Sequence, residues 1–341
     1  MMRNAGLVGL LLLACLIQTG CDRSTAKSEK PTVVLYTSVD EPVSRPIIQE
    51  FTKTTGIEVV LRTDTEATKS VGLAERLEAE KDNPQADVWW GNEVFHTINL
   101  AERGVLASSD SPAMAKVPAL YRDMQNRWAG TALRARVIAR ATSSPGQEPA
   151  AKVNSILDLK DPALKGKICM ARPSAGTTSG QMAALYTLLG PAKMEQLLRD
   201  WKANGMTLLG GNAVVAEYVG KGQMWAGLTD NDDVDSARQE GGQLELVLPD
   251  QGNDQFGTLT IPCTVGLVKG AKHAEAAKKL VDYLLSPEVE RKLLEAKFAR
   301  YSVFAQTGAE KVKGMAVDYR QVAGNLRAAV EMAMKILEGR E

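Results

Sequence analysis

The sequence predicts an α/β protein of two lobes, with mixed, mainly parallel sheets and a hinge of two crossing strands. Three observations predict it. Strand-like and helix-like segments alternate through residues 32–103, the pattern of right-handed βαβ crossovers onto a parallel sheet. The alternation starts afresh after RWAGTALRARVIARA (127–141), so a second α/β unit follows the first. At 341 residues the chain also exceeds what one hydrophobic core usually serves, about 250–300 residues.

In the first unit PTVVLYTSV reads as a strand ending in small polar residues, RPIIQEFTKTTG as a helix stopping at Gly56, and IEVVLRT as a strand again. ATKSVGLAERLEAEKDNP puts Val71, Leu73, Ala74 and Leu77 on one apolar face and is closed by Pro84. ADVWWG is a third strand and EVFHTINLAERG a helix. Ligands of parallel sheets bind beyond the carboxyl ends of the strands, which gathers residues 38–40, 63–66 and 91–93 on one edge.

The second unit carries KGKICMARPSAGTTSGQMAALYTLLG, MEQLLRDWKANG, GNAVVAEYVGKGQMWAGLTDNDD and LELVLPD. The chain returns through TLTIPCTVGLVKG, a strand expected to cross between lobes. EAAKKLVDYLLS and PEVERKLLEAKF are helical, and YRQVAGNLRAAVEMAMKILEG is an amphipathic helix. The lobes are accordingly residues 32–135 with 263–315, and residues 136–262 with 316–341. No internal repeat interrupts them.

Residues 1–21 read as a cleaved leader. Arg3 precedes the apolar run GLVGLLLLACLI, which is shorter than the ~18 residues of a membrane span. Gly20-Cys21 resembles the lipobox of bacterial lipoproteins, with Gln18 where that pattern has leucine; Cys21 is then lipidated, and an ordinary signal peptide is the alternative. Residues 22–31 are polar, as a flexible tether is. Cys169 and Cys263 lie in apolar strand-like segments and either pair or stand as buried free thiols.

Lysine plus arginine (41) equals aspartate plus glutamate (41), and no dense basic run occurs, so neither nucleic acid nor an anionic membrane surface is expected as a partner. An enzyme would have only His96 and His273 as histidine bases, the first read as a partly buried helix residue and the second as an exposed helix start. Ser174 lacks the Gly-x-Ser-x-Gly elbow, and no His-x-x-x-His or Cys-x-x-Cys occurs. The expectation is a non-enzyme without cofactor. A carboxylate-metal hydrolase and a ligand-free adhesive lipoprotein are the rival classes.

Two stretches carry candidate binding chemistry. In ARPSAGTTSGQ, the residues Ser174, Ala175, Gly176, Thr177 and Thr178 lie between a strand and an apolar helix starting near Gly180. Amides and hydroxyls at a helix N-terminus cradle anions, although the bare pattern is most often only an N-cap. In GLTDNDDVDS, aspartates stand at 230, 232, 233 and 235. A calcium loop fails: starting at Asp230 puts Asp235 where glycine is needed, and starting at Asn231 puts Ser236 there. Asp230 or Asn231 can instead cap the following helix, with Asp232 and Asp233 in its first turn.

The segments LYTSVDEPVSRPIIQEFTKTTGIEVVLR, ADVWWGNEVFHTINLAERGVL, RWAGTALRARVI and LVDYLLSPEVERKLLEAKFARYSV together resemble the periplasmic ferric-iron-binding proteins of ABC importers. The resemblance implies a type II periplasmic binding protein (extracellular solute-binding protein family 1) that captures a small solute between hinged lobes. It implies delivery to a permease with its ATPase, a monomer, and a periplasmic location with membrane attachment only through the lipid anchor. It also implies an anion site at residues 174–178 with Asn212, and cleft-facing arginine from the Arg134-x-Arg136 pair. Asn92 and Glu93, at the third strand end, join the candidate ligand-binding set. Where the family has a pair of iron-binding tyrosines this chain has Asp232 and Asp233, beside Asp230; where it has a polar ligand after the first strand this chain has Asp40 and Glu41. Hard carboxylates still suit hard cations. The expected solute is thus ferric iron or another metal with a partner anion, held by Asp40, Asp232 and Asp233. The alternative is a small organic phosphate or phosphonate. In both, Asp232 and Asp233 face the anion cradle across the cleft.

Overall fold

The computed structural model describes residues 30–64, 71–142, 148–304 and 312–339. The leader, Cys21 and the tether up to residue 29 lie outside the described residues.

The first sheet is assembled from short, β-branched strands. β1 (Thr32–Thr37) buries Val33 and Leu35, and is followed by α1 (Glu41–Thr55). α1 ends where Gly56 takes φ 72° and returns its N–H to Thr52 O, the left-handed stop expected of glycine. β2 (Glu58–Thr63), α2 (Val71–Ala79), β3 (Val88–Gly91), α3 (Phe95–Glu102), β4 (Leu106–Ala107) and α4 (Pro112–Lys116) follow. β1 pairs in parallel with β2 and β3, as the crossovers require.

The long strand β5 (Trp128–Ala141) leads into the second set: β6 (Ile168–Ala171), α5 (Gly176–Leu189), α6 (Pro191–Ala203), β7 (Thr207–Leu209), α7 (Asn212–Gly220), β8 (Ala226–Asp230), α8 (Asn231–Gln239) and β9 (Leu244–Val247). The chain returns as β10 (Thr260–Val268), then α9 (Ala274–Leu284), α10 (Pro287–Glu295) and α11 (Tyr319–Glu338).

The strand order is β2-β1-β3-β10-β5-β8-β6-β7, with β4 also on β10 and β9 also on β5. β5 belongs to both halves. Its residues up to Ala135 pair with β10, and from Arg136 onward it pairs with β8 and β9. The stretch expected to cross, 258–270, holds both β10 and the residues just before it. β10 stops at the boundary, Thr260 facing Ala135, and the return passage is the preceding segment, where Leu259 O accepts Arg136 N (2.9 Å).

Apolar side chains pack in three groups. One lies between the first sheet and α1, α9 and α10; one lies under α7 and α8; the largest runs from Trp89 and Phe95 through Met170 and Met182 to α11. In that group Gly180 of α5 presses on the Phe95 ring, where an added Cβ would collide. Cys169 and Cys263 are buried free thiols, each pushed up to about 12 chiefly by burial. His273 is the N-cap residue of α9, and its Nδ1 lies 2.8 Å from Asp87.

Candidate functional site

Arg134 and Arg136 stand two apart on β5, so their side chains leave the same face of the strand. They also straddle the switch between sheets: Arg134 is opposite Ile261 of β10, whereas Arg136 is opposite Asp230 of β8. Both are buried, at 2% and 0% exposed. Buried guanidinium groups demand partners, and the carboxyl end of β8 supplies them. Asp230 accepts from Arg136 Nη1 (2.8 Å), Arg134 Nη2 (3.1 Å), Thr177 Oγ1 (2.5 Å) and Asn212 Nδ2 (3.2 Å). Asp232 accepts from Arg134 Nη2 with both oxygens (2.7 Å each). Gln181 Oε1, one turn after Thr177 on α5, takes Arg136 Nε and Nη2.

The two carboxyls respond differently. Burial drives Asp232 up to about 6, with Arg134 pulling it down and Asp230 adding repulsion. Asp230 lies below the usual carboxylate range: burial opposes that shift, and the charges of Arg134 and Arg136 outweigh it. Asp233 closes a capping box instead, accepting Asp230 N (3.3 Å) and the Thr229 hydroxyl (3.0 Å). The helix-cap expectation for the aspartates is met, with Asp230 as the N-cap residue of α8.

Above this network lies a cavity of about 340 Å³, whose lining includes Asn92, Arg134, Arg172, Asp230 and Asp233, the turn 174–177 and residues 210–212. The helices α5, α7 and α8 all start at its wall. α8 is capped by its own aspartates, but the N-cap residues of α5 and α7, Ala175 and Gly211, offer no capping side chain. Helix starts without side-chain caps leave amide donors for an anion. Gly176 takes φ 60° at the start of α5, a conformation that glycine reaches without a Cβ penalty. Arg134 adds to the donors: among the described residues its Nε and Nη1 have no hydrogen-bond partner.

Most of the sequence candidates meet here. Ser174, Ala175, Gly176, Thr177, Asn212, Arg134, Asn92, Asp230 and Asp233 line the cavity. Thr178 stands behind it, donating to Asn212 Oδ1 (3.0 Å). Three of the candidates stand elsewhere. Asp232 does not join Asp233 on the cavity wall, because Arg134 captures it. Asp40 lies outside the cavity lining; among the described residues, the carboxylates grouped closely enough for a metal are Asp230, Asp232 and Asp233, with one oxygen of each within 4.8 Å of the others. Glu93 is turned away from the cavity to the start of α3, accepting Phe95 N (2.6 Å) and His96 N (3.1 Å). The helix starts at Gly176, earlier than the expected Gly180. Gln181, Arg172, Gly210 and Gly211 were missed; Gly210-Gly211 before an apolar helix is the same signal that flagged the 174–178 turn.

Among known proteins, the chain is 26% identical over 304 residues to the Fe(3+)-binding periplasmic protein of Serratia marcescens, covering 88% of this chain and 86% of that one. It is 25% identical over 250 residues to a putative 2-aminoethylphosphonate-binding periplasmic protein of Salmonella typhi (72% and 69% covered). Its fold matches the periplasmic binding protein AfuA of Actinobacillus pleuropneumoniae, solved with fructose-6-phosphate, at TM-score 0.75 and 21% identity over 91% of this chain and 99% of that one. Residues 32–298 match the family model for bacterial extracellular solute-binding proteins, and the chain belongs to that family.

Proposed function

We propose that the chain captures a small solute carrying an oxyanion group in the cavity at β8, α5 and α7, and presents it to an ABC permease and its ATPase. The observation that carries this is the meeting on one cavity of two helix starts lacking side-chain caps and of Arg134, whose Nε and Nη1 have no hydrogen-bond partner among the described residues. The lobes, residues 32–135 with 263–315 and residues 136–262 with 316–341, close on the solute about the point where β5 changes partners. Ligand contacts from both sides favour the closed state, which the permease recognises. The chain acts as a monomeric binding protein without catalysis. Cys21, lipidated after removal of the leader, tethers it in the periplasm; among the described residues no helix is long and apolar enough to cross a membrane.

Two solutes suit the cavity. A ferric ion or other hard metal with a partner anion is the reading that the Serratia relative supports, with Asp230, Asp232 and Asp233 as the oxygen set. An organic phosphate or phosphonate is favoured by a specific observation: the carboxylates of Asp230 and Asp232 are already paired with guanidinium groups, which offset the negative charge a metal would draw on. Titration calorimetry of the purified chain with ferric citrate, inorganic phosphate and organic phosphates tests the shared anion site. Arg134→Ala is expected to weaken every oxyanion ligand at least about tenfold, the scale of a lost charged hydrogen bond. Unchanged affinity overturns the reading.

A further inference from the structure

A second cavity, about 510 Å³, lies beside the first and shares Ser174 with it. It is walled by α2, α3, the start of α5 and α11. Its apolar lining includes Val71, Ala74, Leu100 and Leu326. A bare anion or a hydrated metal gains nothing from such a wall, whereas carbon does. Both cavities fall in the range of about 300–1,000 Å³ that takes organic small molecules.

The polar groups on this wall are arranged as one would hold a hydroxyl. The His96 ring lines the cavity, and its Nδ1 is fixed 3.0 Å from Glu93 Oε1. Glu93 is itself immobilised by two backbone N–H groups and is 1% exposed. That leaves Nε2 as the ring's remaining polar atom, without a partner among the described residues. Burial lowers the pKa of the ring, and the Glu93 carboxylate outweighs this and raises it above its usual value, so Nε2 accepts in the neutral ring and donates in the protonated one. Asn99, one turn further on α3, donates its Nδ2 to Ala323 O (3.4 Å) and so turns its Oδ1 acceptor free of that contact. A ring nitrogen and an amide oxygen on one helix face match a hydroxyl, which both accepts and donates. The charged side chains at the rim neutralise each other, Arg103 with Glu78 and Arg327 with Glu331, apart from Glu75.

We infer that the two cavities form one bipartite site, in which the larger takes the hydroxylated carbon chain of an organic phosphate whose charged end occupies the smaller. This rests on the capture reading above and names its solute class. The experiment is calorimetry on the whole chain with inorganic phosphate, methyl phosphate, a hexose phosphate and an aminoalkyl phosphonate, repeated with His96→Ala and Asn99→Ala after thermal unfolding has established that both fold. The hexose phosphate is expected to bind about tenfold or more tighter than inorganic phosphate, a ratio worth one to two hydrogen bonds plus buried carbon. Each variant is expected to bring that ratio down several-fold. A ratio near one in the unaltered chain overturns the inference, as does a ratio unmoved by both variants. A gain for the aminoalkyl phosphonate alone replaces the hydroxyl assignment with an amine on Glu75 and overturns it in this form. Tight ferric binding with no preference among phosphates sinks the inference while leaving the capture reading standing; insensitivity of every ligand to Arg134→Ala sinks the capture reading itself.

Discussion

The strand ends of the first and second sheets face the same problem, polar groups gathered at the carboxyl edge, and solve it differently. On the first side the strand-end hydroxyls, amide and carboxylate satisfy one another, although Trp90 Nε1 nearby has no partner among the described residues. Ser38 Oγ donates to Asn92 Oδ1 (3.0 Å) and accepts Asn92 N (2.9 Å), Thr37 Oγ1 donates to Trp90 O, and Glu93 caps α3. On the second side, helices α5 and α7 start without capping side chains and two Arg134 nitrogens, Nε and Nη1, are unpartnered among the described residues. A closed network contributes shape, and an unfinished one contributes binding capacity, because a buried donor without a partner gains most when a ligand arrives.

The comparison breaks most visibly at Asp230. Asp230→Ala leaves Arg136 and Arg134 buried beside a missing charge, so urea denaturation should register a loss of about 3–5 kcal/mol. A loss under about 1 kcal/mol would mean that the guanidinium groups are satisfied without it. Gly180→Ala comes next. The new methyl meets the Phe95 ring, the contact that presses the first side onto α5, and overpacking of this kind costs about 1–3 kcal/mol. Phe95→Leu in the same chain should restore part of it; failure to do so would place the strain elsewhere. Asn212→Ala removes the amide that links Thr177, Thr178 and Asp230, and should weaken phosphate binding by about tenfold in calorimetry.

The smallest effect is titration, and it separates the two sides. The Asp232 carboxyl, raised to about 6 from 3.8, binds its proton more tightly in the fold than in the unfolded chain. Its contribution therefore favours the fold below about 4 and fades as pH rises through about 6. His96, also raised, contributes stability present below its unfolded value of about 6.5 and lost as pH rises through the folded one. Stability curves against pH for Asp232→Asn and His96→Gln should flatten in the lower and upper windows respectively. Curves that flatten in the reverse order would reassign the two groups.

Much of this was legible in the residues themselves, because the signals are local. The period of Val71, Leu73, Ala74 and Leu77 marked α2, Gly56 marked the end of α1, and a Ser-Ala-Gly-Thr-Thr run before apolar residues marked the start of α5. The aspartates were equally plain as a helix cap. Which aspartate lines the cavity was not legible. Asp232 and Asp233 are neighbours in sequence, yet one is taken by an arginine on β5 and the other by the backbone and hydroxyl of β8.

The order of strands and helices, the helix starts and the carboxylate run were thus fixed by the chain alone, since each depends on residues within a turn or two of one another. The pairing of Arg134 and Arg136 with Asp230, the turning of Glu93 toward His96, and the sharing of Ser174 by two cavities were decided only by the tertiary structure. Those depend on the register at which β5 passes from β10 to β8, and register is set by how whole faces of a sheet pack rather than by any local stretch of sequence.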